Sequence, residues 1–236
     1  MLKSTTEADW QHFLDAEKKH DRRASLSALN RFIDALLGED QATWHSWAYD
    51  LAAKIWDAKV DIPIRYPLVT RVLLPALNEG ALNGVQGCLR WLAVCGRGSQ
   101  LDARLPEHLR TPVGLLKEAI RIDPNDRIAR NRLLEIWAPT FEYSLHELPA
   151  GVLYGHNGAT IAECGELLEF LDEFRTYAAE LEQPSRYSSL IADCDLHFRC
   201  YRSYLQQDRP GGSYGEFYEH YRGTELAKKN ELSDRQ

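Results

Sequence analysis

The chain has 236 residues, 44% hydrophobic and 27% charged, and a formal net charge of -7. This length can bury a substantial core, and the composition is that of a folded globular protein rather than a disordered one. The acidic balance argues against nucleic acid or an anionic membrane as the main partner, and no stretch approaches the roughly 18 consecutive apolar residues of a membrane span. The opening MLKSTTEADW carries no apolar run of a secretory signal. Five cysteines, an odd number without disulfide-framework spacing, fit a reducing compartment. The expected setting is the cytoplasm.

Apolar residues recur at three- and four-residue steps throughout, with no run of period-two alternation. Trp10, Phe13, Leu14 and Glu17 open a first helix that ends around Asp21. Leu26, Leu29, Ile33 and Leu36 stripe a second, closed by Gly38, and Trp44, Trp47, Leu51 and Ile55 share one face of a third. Asp61-Ile62-Pro63 and Tyr66-Pro67 then break the chain, and a fourth helix from about Leu68 is expected to kink or end at Pro75. A fifth is expected over Leu82 to Val94, with Cys88 and Cys95 as small core residues. Gly96-Arg97-Gly98-Ser99 begins the longest polar break, which runs to Thr111-Pro112 and is a candidate sub-boundary at 96–112 within one helical domain.

Residues 115–137, LLKEAIRIDPNDRIARNRLLEIW, read as two helices and a short turn. Asp123 suits the N-cap of the second, Pro124 its first position, and Asp126 puts negative charge in the first turn. Leu133, Trp137, Phe141 and Leu145 form its apolar face, with Arg127, Arg130, Asn131 and Glu135 on the polar one and Pro139 bending or splitting the helix near Ala138. The spelling A-I-R-I-D-P-N-D resembles the junction between tetratricopeptide repeats, with Ala119 and Pro124 at that family's spacing and Leu133 and Trp137 where the next repeat places its leucine and aromatic. The match covers about 20 residues, and no second copy stands at the roughly 34-residue period, so the resemblance implies one joint rather than an array. The run H-E-L-P-A-G-V-L-Y-G that follows is similar to segments of bacterial helical proteins and implies no activity.

Candidate chemistry is sparse. His146-Glu147 begins an H-E-x-x-H pattern, but Ala150 stands at the last position and Pro149 breaks the helix. Cys194, His197 and Cys200 would fan across about 120 degrees of a helix, too wide to hold one ion, so Leu190, Cys194, His197, Tyr201 and Leu205 read as a core-facing stripe. No metal and no cofactor is expected. The loop 151–158, GVLYGHNG, lacks a preceding strand and the P-loop lysine, but His146, Tyr154 and His156 are an alternative pocket for a small molecule or an enzyme's substrate.

Residues 160–182 show the clearest asymmetry. Cys164, Leu168, Leu171, Phe174, Ala178 and Leu181 form an apolar stripe, and Glu166, Glu169, Glu173 and Glu180 lie nearly opposite, flanked by Glu163 and Asp172. Such a face is either simply solvated or a docking surface for a basic partner. Arg121, Arg127, Arg130 and Arg132 would be the footprint of a nucleic-acid binder, but Asp123, Asp126 and Glu135 dilute them. After the turn at Pro210-Gly211-Gly212, Tyr214, Phe217, Tyr218 and Tyr221 stripe a last short helix, and 223–236 is expected to fray.

These readings give an all-α fold of about nine or ten helices packed as antiparallel hairpins, as a single domain over 1–236, with a short irregular TPR-like solenoid as the alternative arrangement. The expected function is a non-catalytic protein-interaction module, whether adaptor, regulator or toxin-neutralising immunity protein. Its candidate docking residues are Glu163, Glu166, Glu169, Asp172, Glu173 and Glu180, with Arg127, Arg130 and Asn131.

Overall fold

A computed structural model describes residues 2–96, 100–207 and 212–233, with side chains as far as Thr224. Among these residues the fold is all-helical: α1 (Ser4–Lys18), α2 (Arg22–Leu37), α3 (Gln41–Ala52), α4 (Tyr66–Leu68), α5 (Leu74–Leu82), α6 (Cys88–Cys95), α7 (Pro112–Ile122), α8 (Arg127–Ser144), α9 (Ile161–Ala179), α10 (Ser188–Gln206) and α11 (Tyr214–Ser233). Because α4 and α5 are halves of one rod, this amounts to ten helices, in line with the sequence pattern. No helix among the described residues is long and apolar enough to cross a membrane.

The chain divides into two compact units, residues 1–129 and 130–236. The division falls within α8, and the sub-boundary expected at 96–112 lies inside the first unit. Residues 97–99, Pro210 and Gly211 of the expected breaks lie outside the described residues. Of the tail at 223–236, the part through Ser233 continues α11.

In the first unit, side chains define where helices begin. Asp21 accepts from the Ala24 amide, Asp40 from Thr43 and Thr111 from Gly114, each supplying a partner for an otherwise orphaned N–H. The rings of Trp10, Phe13, Phe32 and Trp47 meet at centroid distances of 4.9–5.2 Å, the two phenylalanines fully buried and Trp47 half-buried at the edge of this core. Leu29, Ile33 and Leu36 are buried as expected, but Leu26 is exposed; Ser25, Ala28 and Phe32 complete the buried stripe instead.

Pro75 neither ends nor breaks its helix. It is preceded by a π-helical turn, Val69–Leu73, whose wider winding accommodates a ring with no N–H to donate, and the rod continues to Leu82. The helix expected over 82–94 instead begins at Cys88, because Gly84 and Gly87 take left-handed conformations (φ 71° and 89°) and turn the chain. The stretch expected to be a polar break contributes Leu101, Leu105 and Leu109 to the core. Asn78 anchors it: its amide donates to the Leu74 and Gln100 carbonyls at 2.9 and 3.2 Å, and its oxygen accepts from the Asp102 amide at 2.8 Å.

At the end of this unit the cap differs from the expected one. Asp123 closes α7 and accepts from the Asn125 amide, Pro124 lies in the turn, and Asp126 caps α8 by accepting from the Ala129 amide at 3.0 Å. In the second unit α8 runs unbroken through Pro139. Pro139 and Glu135, whose carbonyl loses a helical partner to it, are both exposed, so water can serve that carbonyl. Trp137 and Phe141 pack on Phe170 and Phe174 of α9, and Phe198 of α10 completes this aromatic core.

Candidate functional site

Helix α9 starts from a capping box. The Thr160 hydroxyl accepts from the Glu163 amide, and the Glu163 carboxylate accepts from the Thr160 amide at 2.7 Å. Glu163 therefore acts first as a local structural group, and these bonds hold its carboxyl below the usual range. The apolar stripe lies where the periodicity places it: Cys164, Leu168, Leu171, Phe174, Ala178 and Leu181 are all buried, with Leu167 beside them.

The carboxylates of α9 are not equivalent. Asp172 pairs with Arg175 on its own helix, and the Arg175 guanidinium also reaches Asp195 of α10 at 3.3 Å. Glu180, just past the end of α9, accepts from Arg130 at 2.5 Å. Arg130 is only 3% exposed, so this residue belongs to the interior of the second unit rather than to the polar face of α8. Its long apolar stem and charged head can be buried because the Glu180 carboxylate meets it. Arg127 is exposed and Asn131 half-buried. Glu166 and Glu169 are exposed, Glu173 is half-buried, and Glu166 accepts from the Tyr154 hydroxyl at 3.3 Å. The solvent face of α9 thus carries Glu166, paired with Tyr154, and Glu169, with Glu173 half-buried at its edge, while Glu163, Asp172 and Glu180 bond to neighbours.

The loop at 146–158 folds back on itself through bonds from the Leu153 amide to the Ser144 carbonyl and from the Ala159 amide to the Val152 carbonyl, each 2.8 Å. Val152 and Ala159 anchor it in the core, whereas His146, Tyr154 and His156 are all exposed. Tyr154 turns to the acidic helix, and the His146 ring faces Tyr143 at 6.4 Å. In α10, Cys194, Phe198, Cys200, Tyr201 and Tyr204 are buried, while Leu190, His197 and Leu205 of the expected stripe are half-buried. His197 accepts or donates through Nδ1 to the Tyr214 hydroxyl at 3.0 Å and stacks on Tyr218 with ring centroids 4.3 Å apart. Burial pushes the thiols of Cys88, Cys95 and Cys194 up to about 12, and those of Cys164 and Cys200 to about 11. A thiol held so high is mostly protonated near neutral pH and a poor nucleophile.

The second unit also contains a groove that the sequence pattern did not reveal, with a volume of about 550 Å³, between the end of α9, one side of α10 and Tyr221 and Arg222 of α11. Its α10 wall is the row Ser188, Ile191, Ala192, Asp195, Leu196 and Arg199, a second helical stripe beside the buried one. That spacing was visible, but its mix of small, apolar and charged residues reads as a solvated face. The chain matches no known family model, no curated protein and no solved structure.

Proposed function

We propose that the protein is a non-catalytic protein-binding module that docks a basic partner through the solvent face of α9, in the cytoplasm. One observation carries this reading: Glu166 and Glu169 stand exposed, with Glu173 beside them, directly opposite a fully buried stripe. The buried stripe holds the backbone of the helix, so the carboxylates project from one defined face. Such a field speeds encounter with a positively charged surface and disfavours acidic ones. An adaptor, a regulator or an immunity protein that neutralises a basic toxin would all use it in this way. The repeat-like spelling of residues 115–137 suits a scaffold for such contacts.

The test uses the intact chain and its Glu166→Lys/Glu169→Lys/Glu173→Lys variant as baits in lysate of the cells that make the protein, at low and raised salt. A stoichiometric basic protein, retained by the intact chain and lost from the variant and at raised salt, is the expected result. A partner captured equally by both baits, or no partner with either, would overturn the reading.

A further inference from the structure

The groove of the second unit has the two halves of an amphipathic site. Its walls are Ala178 and Ala179 at the end of α9, Pro184, Ile191, Ala192 and Leu196. Alanine at three of these positions leaves room that larger side chains would fill, and the resulting volume of about 550 Å³ suits a small organic molecule. The polar lining gathers three arginines, Arg175, Arg199 and Arg222, against two aspartates, Asp193 and Asp195.

How these charges are used decides what the groove can hold. Asp195 is shared: Arg199 donates to both of its oxygens at 3.1 and 3.0 Å, and Arg175 reaches it at 3.3 Å. Two guanidinium groups therefore meet one carboxylate, and Asp172 pairs with Arg175 from its own helix. Asp193 accepts from the Ser189 hydroxyl at 3.3 Å. Arg222 is exposed at the edge of the groove and forms no hydrogen bond or ion pair among the described residues. An arginine with no ion-pair partner among the described residues, at the edge of an apolar trough, complements a ligand that has one anionic head and an apolar body.

We propose that this groove binds a small amphipathic anion, an aryl or alkyl carboxylate or sulfonate, with its apolar body on Ala178, Ile191, Ala192 and Leu196 and its head at Arg222. The site lies off the acidic face of α9, so it is independent of the docking proposed above and survives the failure of that proposal.

The full-length protein is titrated with 8-anilinonaphthalene-1-sulfonate, an aromatic sulfonate whose fluorescence rises on leaving water, and with the uncharged N-phenyl-1-naphthylamine. The expected result is saturable one-to-one binding of the sulfonate, displaced by decanoate. Arg222→Ala weakens it about five-fold, the size expected for one partly exposed ion pair. Ala192→Trp and Ala179→Trp fill the groove from exposed positions and abolish it, with unfolding curves confirming that both variants fold. The uncharged probe binds about five-fold more weakly than the sulfonate and ignores Arg222→Ala. Binding that persists in the tryptophan variants, equal binding of the two probes, indifference of the sulfonate to Arg222→Ala, or no saturable binding overturns the proposal.

Discussion

The Arg90 guanidinium donates to Oδ2 of Asp126 at 2.8 Å while the other oxygen of that carboxylate caps the next helix through the Ala129 amide at 3.0 Å. The same guanidinium donates to Asp57, at the end of the π turn Ala53–Asp57, at 2.6 and 3.3 Å, and the Trp91 indole N–H reaches Asp57 at 2.9 Å. One arginine, 14% exposed, thus ties the end of α3, the face of α6 and the cap of α8 into a single charged cluster.

Removing the cation of this cluster leaves two carboxylates facing each other where water is scarce. Arg90→Met, which keeps much of the apolar stem, is expected to lower the stability of the protein by about 3 kcal/mol. Asp126→Asn keeps an oxygen to cap α8 and is expected to cost less, about 1 kcal/mol. Urea unfolding of the three proteins under one buffer checks the order; equal stability of Arg90→Met and the parent would contradict it.

Gly114 sits in the first turn of α7 where a Cβ would come 1.7 Å from the His108 carbonyl oxygen. That contact is with backbone, so it cannot be relieved by rotating a side chain, and the 106–111 segment must move. Gly114→Ala raises helix propensity elsewhere, but here it is expected to destabilise by roughly 2 kcal/mol through overpacking. Chemical denaturation with tryptophan fluorescence would reveal a neutral or stabilised variant if this is mistaken.

His197 supplies a pH dependence with a defined sign. Burial, reinforced by Arg222 and opposed by Asp193, lowers its pKa from the ordinary 6.5, and the groups around it are Asp193, Tyr214, Tyr218 and Arg222. Between the lowered and ordinary values the unfolded chain binds a proton that the folded chain does not. Stability is therefore full above about 6.5 and declines as the pH falls through it toward the folded value. His45 is lowered by burial as well, opposed by Glu79, and acts in the same window. Unfolding free energies at about pH 7.5 and about pH 5.5 should differ less in His197→Gln than in the parent, and least in the double variant with His45→Gln. Carboxylates such as Glu17 and Glu79, held low chiefly by arginine hydrogen bonds, lose their contribution only at more acidic pH.

The helical class and the buried stripe of α9 were legible from the residues because both are set within one or two turns of chain. A helix repeats every few residues, and a cap such as Thr160 acts on an amide three positions away. Even this local logic misplaced the cap at Asp123, since two aspartates three residues apart compete for the role and Asp126 is the one that Arg90 also holds.

Which polar residues are exposed was decided only by the packing of helices distant in sequence. Arg130 reads as surface by its helical position, yet it is buried because Glu180, fifty residues on, meets it there. Asp57, Arg90 and Asp126 come together from three separate helices, and the α10 wall becomes a groove only where α9 and α11 flank it. Local periodicity specifies which side of a helix is apolar; the partner of a charge and the depth of a groove depend on what stands opposite, and that is a property of the assembled fold.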